Sequence, residues 1–96
     1  MPKGYVIAQA VVTNATQWAV YAAAAGEAIR KYGGKPLARG GRMEVAEGEG
    51  RFRNVILEFE SFEAARTYAF SPEYAAARKL REGAGYINIV VVEGAP

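Results

Sequence analysis

Three tyrosines and one arginine are the side chains of this 96-residue chain whose types and spacing could form a small-molecule site. Tyr21 falls in one helical pattern, and Tyr68 and Tyr74 fall in a second, so all three could face a cleft between helices and sheet. Arg39 directly precedes a glycine pair, where a bulge could turn its guanidinium inward toward a carboxylate or phosphate. Phenols can donate to a developing oxyanion, and Glu58 or Glu73 could accept a proton. The predicted ligand-binding residues are therefore Arg39, Tyr21, Tyr68, Tyr74 and Glu58.

Each of these residues also has a purely structural interpretation. Arg39 could form a salt bridge that only stabilises the fold, and a tyrosine commonly packs in a core with its hydroxyl at a polar edge. Glu58 could be solvated or could pair with Arg39 or Arg42 on the neighbouring strand. Two functions stay open. One is a binder of a small aromatic or acidic metabolite, which could be a cofactor-independent enzyme, and the other is a non-catalytic interaction or regulatory module.

The chain contains no histidine and no cysteine, and this excludes several kinds of chemistry. Ser-His-Asp and Cys-His catalytic groups are excluded, as are zinc sites with nitrogen or sulfur ligands and the common His-ligated haem. Glu44, Glu47 and Glu49 flank a predicted hairpin turn, which is typical of a solvated edge rather than a Mg²⁺ or Ca²⁺ site. The glycine pairs lack the Gly-Lys-Ser/Thr end of a phosphate loop. We therefore expect no metal and no cofactor.

Charge and hydropathy argue against nucleic-acid and membrane partners. The net charge is +2, and Lys and Arg are interleaved with Glu instead of forming a basic stripe. Asn54 and Ile56 occupy the positions at which an RNA-recognition motif would present stacking aromatics. No apolar run approaches the ~20 residues of a membrane span. With no cysteine and no leader pattern, we expect a cytoplasmic protein.

Hydrophobic periodicity predicts the elements that would position these residues. Strands are predicted over 5–12, 51–60 and 86–93, with a long second strand over 35–47 bent or bulged at the glycine pair. Asn14 is predicted to cap a helix that ends near residue 32, and Ser61 a second helix that Pro72 interrupts. The order predicts one α+β domain over residues 1–96. It is a ferredoxin-like βαββαβ fold, a four-stranded antiparallel sheet with both helices on one face.

Alternate positions in the strands give two faces that are both largely apolar. One face carries Val6, Ala8, Ala10, Val55, Leu57 and Ile89, and we assign it to the helices. The other face has too many large apolar side chains to remain in water. Packing of this face against the same face of a second copy would bury it and form a homodimer. The predicted dimer interface comprises Tyr5, Ile7, Gln9, Val11, Ile56, Tyr86 and Val90.

Several short patterns occur in an order and spacing that cover nearly the whole chain. They are GYVIA at 4–8, YGGKPLARGG at 32–41, VILEFES at 55–61, SPEY at 71–74 and VEG at 92–94. Together they resemble the domain of unknown function 1330 family of the dimeric α+β barrel superfamily. The resemblance implies a ferredoxin-like protomer whose sheet pairs with that of a partner to form a barrel. It implies no activity, because that family has none assigned and the wider superfamily includes monooxygenases, isomerases, haem enzymes and ligand-sensing domains.

Overall fold

The four strands of the chain form a single antiparallel sheet in the order β2-β3-β1-β4, as seen in a computed structural model that describes residues 2–96. In chain order the elements are β1 (Gly4–Val12), α1 (Ala15–Lys31), β2 (Lys35–Arg39), β3 (Arg53–Phe59), α2 (Phe62–Ala69), α3 (Pro72–Lys79) and β4 (Gly85–Glu93). The first and third strands are central, and the predicted ferredoxin-like α+β fold is confirmed.

Local hydrogen bonds explain where the helices begin. The Asn14 side chain accepts a hydrogen bond from the backbone N–H of Gln17 at 3.1 Å, which caps α1. Ser61 caps α2 through the backbone N–H of Ala64, also at 3.1 Å. Ser71 caps α3 in the same way, and Pro72 takes the first helical position, where its missing N–H has no cost. The predicted caps and the predicted break at Ser71-Pro72 are confirmed.

The helices cover one face of the sheet, and this face forms the hydrophobic core. Val6 and Leu57 are only 2% and 3% exposed, and Phe59 is fully enclosed. The helical stripe predicted from spacing is buried against them, and it includes Trp18, Tyr21, Ala25, Ala28 and Ile29. Burial of each large side chain contributes about 1.5–3 kcal/mol. The predicted assignment of this face to the helices is therefore confirmed.

The second strand is much shorter than predicted. It ends at Arg39, and residues 40–52 form no strand, so the prediction of a strand over 35–47 was wrong. The register irregularity lies between Pro36 and Ala38 rather than at the glycine pair, next to a proline that cannot donate to the ladder. Gly40 has φ +68°, a left-handed conformation that turns the chain away from β3. Arg39 is therefore the last residue of an edge strand.

The opposite face of the sheet, which we call the outer face, is covered by no helix or strand of residues 2–96, and the loop over residues 43–51 borders it beside Gln9 and Asn54. Ile7, Val90 and Tyr86 are 37%, 55% and 68% exposed in the single chain. The strand register aligns Ile7 with Ile56 on one side and Val90 on the other, which gives an apolar row across three strands. Within residues 2–96, none of the helices combines the length and apolarity that a membrane span requires.

Candidate small-molecule site

An apolar cleft of about 80 Å³ lies between the sheet and the helices. Its existence follows from small side chains on both sides. Ala8 and Ala10 occupy the centre of β1, and Ala22 and Ala25 lie above them on α1, so the two layers leave space between them. The remaining floor and roof are larger apolar and aromatic side chains from β1, β3, β4 and all three helices. They include Trp18, Tyr21, Val55, Tyr68, Tyr74, Ile87 and Ile89.

Two tyrosine hydroxyls meet at the inner wall of this cleft. The Oη atoms of Tyr21 and Tyr74 are 2.7 Å apart, and both residues are buried. One hydroxyl donates to the other, so the accepting phenol keeps its own proton for a further acceptor. Burial raises the pKa of Tyr21, with a smaller opposing contribution from the Arg81 guanidinium 5.3 Å from its ring centroid. Tyr21 is therefore a neutral hydrogen-bond donor at ordinary pH.

Tyr68 completes an aromatic wall. Its ring stacks on Phe59 with centroids 5.3 Å apart and lies 5.4 Å from the ring of Tyr74. Such contacts stabilise and restrain the rings beyond the effect of burial alone. Burial also raises the pKa of Tyr68, so this phenol is neutral as well. The tyrosines of this wall are therefore neutral hydrogen-bond donors, restrained by packing, and they do not act as bases.

Two arginines lie at the rim of the cleft. Arg39 at the end of β2 pairs across the ladder with Val55, and Arg53 lies two residues before Val55 on the same face of β3. Arg53 is a site residue that sequence reasoning missed. Period-two alternation with Val55 and Leu57 would have placed it on the helix-facing side. Within residues 2–96, one salt bridge forms, between Lys31 and Glu73, so neither arginine has a carboxylate partner there.

The predicted ligand-binding residues do not all meet. Arg39, Tyr21, Tyr68 and Tyr74 line the same cleft, and their binding role stays a prediction. Glu58 lies on the outer face, where it accepts a hydrogen bond from Tyr5 Oη at 3.1 Å. Arg39 was predicted as a partner for Glu58, but its side chain lines the cleft on the other side of the sheet. The register shift between Pro36 and Ala38 places Arg39 opposite Val55 on the helix-facing side, whereas alternation along β3 places Glu58 on the outer face.

The cleft presents hydrogen-bond donors, and no carboxylate from residues 2–96 lines it. Glu73, the nearest acidic residue in sequence to Tyr74, accepts hydrogen bonds from Lys31 and Tyr32 between α1 and α3. These two donors lower the pKa of Glu73 to about 2, so it is a held anion and not a proton acceptor. Within the described range 2–96, no three potential metal-ligating side chains cluster together.

Solved structures share this architecture at low sequence identity. A protein of unknown function from Rhodopseudomonas palustris is 18% identical, with a TM-score of 0.76 over 99% of this chain and 84% of that one. A dimeric protein of unknown function with a ferredoxin-like fold from Bacteroides fragilis is 17% identical, with a TM-score of 0.56 over 95% of each chain. At these identities the likeness shows the fold alone.

A third similar structure comes from Caulobacter crescentus and is provisionally described as an antibiotic biosynthesis monooxygenase. It is 12% identical, with a TM-score of 0.60 over 99% of this chain and 92% of that one. No curated protein matches the chain. The family model for Domain of unknown function (DUF1330) matches residues 3–95, nearly the whole chain. The protein therefore belongs to the DUF1330 family.

Proposed function

We propose that the protein is a homodimer that binds a small organic metabolite, aromatic or acidic, in the cleft between sheet and helices. One observation carries this proposal. Four residues chosen for their chemistry line one apolar cleft, with neutral phenols inside and Arg39 at its rim. Ligand sites have this composition, a mostly apolar lining with a few polar groups that fix orientation.

The dimer part of the proposal rests on the outer face. Its exposed apolar row would be covered by the same row of a second copy around a twofold axis. The Bacteroides fragilis protein with this fold is described as dimeric, which supports a dimer here. The proposed interface contains the exposed or half-buried outer-face residues Tyr5, Ile7, Gln9, Val11, Ile56, Tyr86 and Val90.

The size of the cleft limits its ligand. A cavity of about 150 Å³ is known to hold benzene, and drug-sized sites span about 300–1,000 Å³. The present cleft, at about 80 Å³, has about half the volume of that benzene cavity, so it suits a short branched chain, or a single ring that extends partly out through the rim with its polar end. We propose binding rather than a defined reaction, because no histidine or carboxylate lines the cleft. The small volume also favours the second candidate, an interaction or regulatory module that holds no ligand.

Native mass spectrometry of gently purified protein separates the two candidates. We expect a dimer that carries a reproducible small-molecule mass. Ala22→Leu fills the cleft from α1 and should remove that mass, whereas Ala23→Leu adds the same bulk at an exposed neighbouring position and should retain it. A ligand mass that persists in the Ala22→Leu variant would place the ligand elsewhere. A dimer that is empty in every preparation would favour the module.

A further inference from the structure

We infer that the ligand is a small apolar monocarboxylic acid, bound with its apolar body among the phenols and its carboxylate between Arg39 and Arg53. This inference rests on the proposed function, because it assigns the chemical class and orientation of a ligand in that cleft. It is carried by the geometry of the two arginines, by the glycine beside them and by the absence of acidic groups from the cleft lining.

The register of β2 and β3 places the two arginines at neighbouring positions on the helix-facing side of the sheet. Arg39 is opposite Val55, so Arg53 is its diagonal neighbour on the same face, a separation of about 7–8 Å between backbones. Both side chains line the rim of the cleft, and neither forms a salt bridge within residues 2–96. Like charges at neighbouring positions repel each other, and an anion between them would offset this repulsion. A carboxylate fits this position because its two oxygens match the planar fork of a guanidinium.

Gly40 supplies the space in which the Arg53 guanidinium lies. Its backbone N–H donates to the carbonyl of Asn54 at 2.9 Å, which ties the end of β2 to the start of β3. A Cβ atom at residue 40 would overlap Nη1 of Arg53, so only glycine lets that guanidinium rest against the backbone next to Arg39. The turn that ends β2 therefore also positions the second cation of the pair.

The rest of the cleft determines what the carboxylate must be attached to. Its walls are alkyl and aromatic, with Ala8, Val55 and Ile89 among them, and they suit an apolar body. No carboxylate lines the cleft, so an ammonium group would lie beside two arginines without a counter-charge. Amino acids and amines are therefore excluded as ligands. The free proton of the Tyr21–Tyr74 pair can donate to a single oxygen on the ligand body.

Benzoate and benzamide test this inference, because they have the same size and shape and differ in charge. Calorimetric titration of the full-length protein should show benzoate binding at least about tenfold more tightly than benzamide. Arg39→Gln and Arg53→Gln should each weaken benzoate binding by about tenfold to a hundredfold and leave benzamide binding unchanged. Lys35→Gln is the matched control, since it removes one positive charge from the same strand on the face of Glu58.

Two glycine-to-alanine variants, at Gly40 and at Gly48, separate the effect of the position of the Arg53 guanidinium from the effect of its charge. Gly40→Ala should weaken benzoate binding because the new Cβ displaces Arg53. Gly48→Ala also places alanine at a positive φ, +77° against +68°, but its Cβ would meet no atom within 4 Å. This control carries the same backbone strain without the displacement and should bind benzoate like the wild type.

Three outcomes overturn the inference, and they are distinguishable. Equal binding of benzoate and benzamide, with both abolished by Ala22→Leu, would leave the cleft as a ligand site and remove the carboxylate position. An equal loss in Lys35→Gln and Arg53→Gln would show a general charge effect instead of a site. No binding of either probe would count against the carboxylic acid and the proposed function together.

Discussion

The two faces of the sheet differ in what covers them, although the strands that form them are similarly apolar on both. The helix-facing side is covered by three helices, and Val6 and Leu57 are almost fully enclosed. The outer face leaves the Ile7 row uncovered and is crossed by two side-chain hydrogen bonds, Tyr5 to Glu58 and Gln9 to Asn54. Within a single chain, helices cover one face of the sheet, and the apolar row of the other face stays exposed.

We propose separate tasks for the two faces. The helix-facing side has a cleft with neutral phenol donors inside and two arginines at the rim, which suits the proposed ligand. The outer face has apolar rows with a polar row of Gln9, Asn54 and Asn88 beside them, which suits a second copy of the same surface. Four substitutions, two in the strands and two in the helices that pack on the sheet, test this comparison.

Ile7→Glu should have the largest effect. In the proposed dimer it places a carboxylate without a cationic partner in the interface from both protomers, at several kcal/mol for each. We expect the dimer dissociation constant to rise at least about a hundredfold, measured by analytical ultracentrifugation over a range of concentrations. Val20→Glu introduces the same charge at an exposed position of α1 and should leave the dimer intact. A stable Ile7→Glu dimer would mean that the outer face is not the interface.

Phe59→Ala should have the second largest effect, and it should lower the free energy of unfolding of the chain. Phe59 is fully enclosed on the helix-facing side, and loss of such a ring costs about 3–5 kcal/mol of unfolding free energy. Val92→Ala on the outer face should cost less than about 1 kcal/mol when both are measured by urea denaturation in the monomeric Ile7→Glu background. Similar losses of unfolding free energy in the Phe59→Ala and Val92→Ala variants would contradict the difference in burial between the two faces.

Strand periodicity predicts this contrast, but it does not predict the end of β2. Side chains alternate strictly along a strand, so Val6 and Ile7 fall on opposite faces wherever the strand begins. Helix caps are equally local, which is why Asn14, Ser61 and Ser71 could be identified from residue type. The end of β2 depends instead on the register shift between Pro36 and Ala38 and on the left-handed conformation of Gly40, and neither of these follows from side-chain alternation.

Tyr21→Phe should produce an intermediate effect on the helix-facing side. It removes one hydroxyl of a buried pair and leaves Tyr74 Oη without its partner, which costs about 1–3 kcal/mol. Tyr5→Phe removes a hydroxyl from the outer face, where water can replace it on Glu58, and should cost less than about 0.5 kcal/mol in the same Ile7→Glu background. Chemical denaturation monitored by tryptophan fluorescence measures both. An equal loss of unfolding free energy in Tyr21→Phe and Tyr5→Phe would show that water reaches the Tyr21–Tyr74 pair as easily as it reaches Tyr5.

The candidate site could be predicted from the sequence only in part, because some of its features depend on how the helices pack on the sheet. Residue chemistry identified Arg39 and the three tyrosines, and alternation would have added Arg53. Glu58 could have been separated from them by the same parity rule, since it falls on the outer face with Tyr5. The volume of the cleft and the 2.7 Å contact between hydroxyls depend on how close α1 and α3 pack on the sheet. Helix packing distances are set by many side chains together and not by any one pattern.

Glu73→Gln should have the smallest effect and should depend on pH. Hydrogen bonds from Lys31 and Tyr32 lower the pKa of Glu73 to about 2 in the folded chain, below the usual value of 4.5. The bound carboxylate therefore stabilises the fold above the usual pKa, and this contribution is lost as the pH falls from about 4.5 through about 2. The difference in Tm between wild type and Glu73→Gln should accordingly shrink over that interval. Glu82→Gln, at an exposed residue after α3, is the control. A difference that stays constant down to pH 2 would show that the link between α1 and α3 is not electrostatic.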